Sequence, residues 1–216
     1  MVFLDPRLRT LDQALHTFMT NVRELKNLLI LLSDGPTFLE LMRGDNHQEL
    51  EFAHAEVVRL LHNFLAAAFS LVDHARRVID DAGLAPETLL PEYRQRIADD
   101  YAGDPLHRFL QGLRAYTLHF EPPLTTAHLE AHREGPDGGW ASSCGFRLDA
   151  TELRSWDRWD EPARQYMDGA GDTVDLLGVV RQYESRIKDL YSWFFARLRE
   201  DGLKAAGIEL GAVPPH

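Results

Sequence analysis

The stretch Asp104–Pro123, DPLHRFLQGLRAYTLHFEPP, decides how this chain reads, because it combines a helix start signal, a strong helical period and a hard stop. Asp104 is placed to accept hydrogen bonds from the first unpaired amides, Pro105 suits the first helical position, and Pro122 and Pro123 bar continuation. The spacing predicts a helix ending near His119. At about 100° per residue, Leu106, Phe109, Leu110, Leu113, Thr117 and Phe120 fall on one stripe that must face a core.

The opposite face carries His107, Gln111, Arg114, Ala115, Leu118 and His119, too apolar for open solvent and too polar for a core. A guanidinium beside an imidazole can hold a phosphate and move a proton, the minimum for cleaving RNA with its own 2′-hydroxyl as nucleophile. The plain alternative is a surface arginine and a histidine at a helix C-terminus, where the dipole favours a cation. Arg9 and His16 form another pair at similarly loose spacing, so the pairing alone is not a signature.

Outward from this helix the pattern stays helical. Leu8–Ser33 has apolar residues at Leu11, Leu15, Phe18, Val22, Leu25, Leu28, Leu29 and Leu32 and stops at Ser33-Asp34-Gly35-Pro36. A short helix over Thr37–Met42 follows. His47–Asp81 reads as the longest helix and central pillar, with Leu50, Val57, Phe64, Leu71 and Val78 at heptad spacing and Leu61, Leu65, Ala68 and Ala75 beside them. Its reverse face, with Arg59, His62, Asn63, Ala66, Ser70, Asp73 and Arg77, mixes polar and small residues, so another helix or a partner subunit can approach closely there. Ala82–Pro86 ends it, and Pro91–Tyr101 predicts another short helix.

Beyond the double proline the period changes. Thr125–Arg133 and Trp140–Leu148 alternate around the turn cluster Glu134–Gly139, which predicts a β-hairpin. Thr151–Met167 reads as helical with Trp156 and Trp159 as anchors, and Val174–Arg199 as a last long helix. The expectation is a mainly α bundle with an inserted hairpin at about 125–148, one domain over 1–203, and a flexible tail over 204–216.

Composition narrows the function. With 216 residues, a net charge of −11 and 44% apolar content, the chain suits one globular domain, and the acidity argues against a general nucleic-acid coat. Any RNA contact must be a local cleft. Cys144 is the single cysteine, which excludes an internal disulfide and a Cys-rich zinc site. Ten histidines invite a metal, but Glu51 and His54 have the Glu-x-x-His form without a second copy, and His128 and His132 lack a third ligand nearby. No metal and no cofactor is expected. Neither a Gly-rich phosphate loop nor a nucleophile elbow is present, and the start, MVFLDPRLRT, lacks the form of a signal peptide. No run approaches the length of a membrane span, so a cytoplasmic protein is expected.

The LRAYTLHFEPP segment, with Arg114 and His119 at the end of one helix, resembles the HEPN superfamily (higher eukaryotes and prokaryotes nucleotide-binding), whose motif is an Arg and a His separated by a short spacer. The order of the long helix LHNFLAAAFSLVDHARR, the Arg–His helix, a hairpin and a terminal helix is similar as well, over about residues 10 to 200. The resemblance implies a homodimer whose paired Arg and His residues form one composite cleft. It also implies either a metal-independent ribonuclease of a toxin or phage-defence system, with an antitoxin as a possible partner, or an inactive dimer that only binds. Arg114 would hold the scissile phosphate and His119 would transfer a proton, with His62, Asn63, Arg77 and Gln111 as candidate substrate-binding residues. The position after the Arg, often polar in that superfamily, is Ala115 here.

Overall fold

A computed structural model describes residues 6–80, 89–133 and 140–205. The helices are α1 (Pro6–Leu32), α2 (Gly35–Leu41), α3 (His47–Asp80), α4 (Leu89–Ile97), α5 (Pro105–His119), α6 (Ala150–Arg154), α7 (Glu161–Ala170) and α8 (Leu176–Ala205). A π-helical turn, Ala98–Ala102, joins α4 to α5, and three strands, β1 (Thr125–Arg133), β2 (Trp140–Asp149) and β3 (Thr173–Asp175), make one small antiparallel sheet. The chain is mainly α with a β-hairpin, as its periodicity predicts. The turn cluster Glu134–Gly139, the helix stop at Ala82–Pro86 and residues 206–216 lie outside the described residues.

Local chemistry sets the helix starts. Asp34, Asp104, Asp149 and Asp160 each accept a backbone N–H three residues on, opening α2, α5, α6 and α7. A proline follows in the first turn of α2, α5 and α7. Asp160 corrects the expected helix over Thr151–Met167: its cap and Pro162 start a new helix, so two short helices stand where one period seemed to run. The expected start of the last helix at Val174 is likewise corrected. Val174 is a buried residue of β3 opposite Leu148, and α8 begins at Leu176 and continues to Ala205, past the proposed start of the tail.

The core is built where α1, α3 and α8 meet. Phe18, Phe64 and Tyr183 are wholly buried, with ring centroids 5.8 to 6.1 Å apart. Each such burial contributes roughly 2–3 kcal/mol. On α3 the expected Val57, Leu61, Phe64, Leu65, Ala68, Leu71, Ala75 and Val78 are buried, joined by Leu60, Ala67 and Phe69. By length and composition α3 could cross a membrane, with a mean hydropathy of 1.4 in its most apolar window, but half of that window is buried inside the bundle. It is the inner helix of a folded core.

The α5 stripe is Leu106, Phe109, Leu110, Leu113 and Tyr116. Phe120 is not part of it, being 54% exposed just past the helix end. Tyr116 takes its place because α5 rests on the tryptophan corner between α6 and α7: Trp159 stacks on Phe109 and Tyr116 and donates its indole N–H to the Leu153 carbonyl at 2.6 Å. The sheet is held to the helices by a hydrogen bond between His54 and Thr125 (2.6 Å) and by His54 packed edge-on to Phe146. Gly145, at φ 152°, brings β2 against the end of α1, where a side chain would sit 2.6 Å from Ser33 Oγ.

Gly112 gives the sharpest test of this packing. A Cβ there would lie 2.4 Å from the ring of Trp159, which is buried and held by its hydrogen bond. Gly112→Ala, a change that adds about 1 kcal/mol in an exposed helix, should instead lower stability by about 1–3 kcal/mol in thermal unfolding. An unchanged or raised melting temperature would contradict the packing of α5 on α7.

Candidate functional site

The exposed residues His62 and Ala66 of α3 lie beside Arg114 and Leu118 of α5, and the two helices share one seam. At its centre the Arg114 guanidinium sits 5.4 Å above the ring of Phe69, a cation–π contact that aims an exposed cation outward. No carboxylate takes it in an ion pair among the described residues. Beside it a cleft of about 80 Å³ is lined by His62, Leu65, Ala66, Arg114, Thr117 and Leu118. The structure thus brings Arg114 and His62 together, the guanidinium from α5 and the imidazole from α3.

The other candidates lie apart. Five residues along a helix amount to about 140° of rotation, so His119, the exposed last residue of α5, points away from Arg114, and it does not line the cleft. Gln111 is taken by Arg108, whose Nη1 donates to it at 2.6 Å. Arg77 stands fifteen residues beyond His62, about 22 Å along α3. Asn63 is half-buried and turned from the cleft.

His107 shares the Arg114 side of α5 yet is only partly exposed. Its ring is enclosed by Phe69, Tyr101 and Tyr183, with Nδ1 3.3 Å from the Tyr183 hydroxyl. Burial pushes its pKa below the usual histidine range, and Arg108, Arg76 and Arg186 add to that against the opposing charge of Asp104. Beside it, Arg96, Asp100, Tyr101, Asp104, Arg186 and Asp189 line a polar depression of about 300 Å³. Its charges are largely spent internally, Arg186 on Asp104 and Arg96 on Asp100. A third groove, of about 420 Å³ between α1, α2 and α3, is walled by Leu28, Leu31, Leu41 and Phe52 and carries little reactive chemistry.

Of the metal candidates, His54 is committed to Thr125 and Phe146, and burial lowers its pKa. His128 contacts Glu130. No cluster of three or more His, Cys, Asp or Glu with metal-binding geometry occurs among the described residues. Cys144 donates its S–H to the Ser33 carbonyl at 3.3 Å, and burial pushes its thiol pKa up, the opposite of an activated nucleophile.

Comparison with protein-family models, with curated proteins and with solved structures returns no match. The site therefore stands on its own geometry. Phe69, the platform under Arg114, is the residue that sequence reading passed over. It falls beside the heptad positions of α3, and only its spacing of three from Ala66 and seven from His62 hinted that it shares their side.

The two enclosed imidazoles predict a pH dependence. Folded His107 and His54 hold protons less readily than in the unfolded chain, so the unfolded state binds more protons below about pH 6.5. The stability they give is complete above that pH and is lost as pH falls. Urea midpoints should fall from about pH 6.5 downward, and less steeply in His107→Gln. An equally steep fall in that variant would show that His107 is not responsible.

Proposed function

We propose that this protein is a HEPN-like homodimer acting on RNA through Arg114, as a metal-independent endoribonuclease of a toxin or phage-defence type. The observation that carries the reading is the outward-facing Arg114 guanidinium, without a carboxylate partner among the described residues and seated on Phe69 beside His62 at the α3–α5 seam. A phosphate is the natural partner of such a cation. One subunit offers a cleft of only about 80 Å³, well below the few hundred Å³ of a usual ligand site, so a second copy has to complete it. Leu118, Phe120 and Leu124, each about half exposed at the end of α5, give that copy apolar surface to cover.

In this reading Arg114 neutralises charge on the pentacoordinate phosphorus while the 2′-oxygen attacks it and the bond to the 5′-oxygen breaks. The 2′-hydroxyl proton passes to one imidazole, and the departing 5′-oxygen takes a proton from another, leaving a 2′,3′-cyclic phosphate. His119 of each copy supplies these imidazoles, with His62 beside Arg114 in position to contact the phosphate. Guanidinium and imidazole together meet the needs of the reaction without a metal. An RNA strand or a nucleotide is the expected ligand, and an antitoxin the expected regulator.

A second reading, a HEPN-like dimer that binds but does not cut, is favoured by the divergence of Arg114 and His119 around α5 and by Ala115, which packs against the core. The two are separated by incubating total RNA in excess EDTA with wild type, Arg114→Ala and His119→Ala. The ribonuclease reading expects cleavage by wild type and a loss of about 10²–10⁴-fold in each variant, with circular dichroism unchanged because both side chains are exposed. Equal activity in all three proteins would refute the assignment, and an inactive wild type would favour the binding reading.

A further inference from the structure

We infer that β1 is an interface: its free edge pairs antiparallel with β1 of a second copy, in a register centred on Leu129, joining the two sheets into one of six strands. The sheet order β1-β2-β3 leaves β1 at the edge, and no backbone hydrogen bond leaves that edge among the described residues. Exposed edges are ordinarily blunted by short length, proline, lysine or a bulge. None of these protects β1. It has nine residues, lacks Pro and Lys, and runs in unbroken register from Thr125↔Leu148 to Arg133↔Trp140. At its middle Leu129 is 56% exposed.

Symmetry and charge select the occupant. A two-fold axis perpendicular to the sheet keeps the helix-covered faces of both copies on one side, so directly opposed residues must share a face and the axis must pass through a residue. Through His128 it would set His128 against itself, and through Glu130 it would oppose two carboxylates. Through Leu129, the midpoint of the strand, all nine residues pair, Leu129 meets Leu129, and each His128 meets the Glu130 of the other copy. His128 and Glu130 already face each other on one side of β1 at 3.5 Å. Two strands would turn that single contact into a ladder of two histidines and two glutamates. A peptide of unrelated sequence would pair with the same edge but would not be selected by this register.

The inference does not depend on the Arg114 reading, and its test separates the two. Sedimentation velocity on the full chain over about 1–100 µM should show self-association through β1, a dimer by that contact alone and a larger assembly where the Arg114 seam pairs as well. His128→Glu and Glu130→Lys should each weaken it by about ten-fold, from two altered cross-strand pairs per interface. The double variant His128→Glu/Glu130→Lys restores opposite charges in the same register and should return to within about three-fold of wild type, with circular dichroism unchanged throughout. A wild type that stays monomeric across this range overturns the inference. So does a dimer indifferent to both single substitutions, and so does a double variant no stronger than the singles. If Ala66→Glu, on the α3–α5 face, dissociates the dimer while the β1 variants do not, the interface lies at the Arg114 seam and the inference fails.

Discussion

The buried hydroxyl of Tyr183 constrains more of this molecule than any other group. Its ring fills the junction of α1, α3 and α8 against Phe18 and Phe64, and a phenol so enclosed needs a hydrogen-bond partner. The partner is His107 on α5. That contact, with the Asp104 cap ion-paired to Arg186 of α8, fixes the rotation of α5 against the bundle. Once His107 is turned inward, the next residues on that side, Gln111, Arg114 and Leu118, emerge along the seam with α3. The apolar core thus sets where the exposed guanidinium points.

Aromatic stacking holds the other side of the same helix. Phe109 and Tyr116 lie on Trp159, and Gly112 between them leaves room for the indole. Asp160 both caps α7 and pairs with Arg108, so the corner that carries Trp159 is tied back to α5. A helix held on two sides in this way presents its remaining face rigidly.

The sheet packs against α1, α2 and α3. It is pinned at one end, through His54, Thr125 and Phe146, and its outer strand carries the exposed Leu129 at its centre. Both this edge and the α3–α5 seam are surfaces left unfilled within one subunit, and they differ in kind: one offers backbone pairing, the other a cation and side-chain cleft.

Helix identity was legible in the chain because capping and stop signals are local: Asp104-Pro105 and Pro122-Pro123 bound α5 as read, and the alternation of Thr125–Arg133 and Trp140–Leu148 marked the hairpin. The apolar period of α3 likewise named most of its core but not Leu60, Ala67 or Phe69. Trp156 and Trp159 were recognisable as anchors, but the break between α6 and α7 hung on one Asp160 cap inside an apparently continuous period. The candidate site was only half legible. Sequence identified Arg114 as an exposed cation on a mixed face, yet grouped it with His107 and His119 by spacing along one helix. Tertiary packing decided otherwise, turning the half-buried His107 toward Tyr183, leaving His119 about 140° away, and bringing His62 from α3 to the guanidinium instead. The reason is that a helical wheel fixes angles within one helix, whereas a site depends on which neighbouring helix supplies the facing side chain, and the aromatic contacts of Tyr183, Phe69 and Trp159 determine that only when the whole core is assembled.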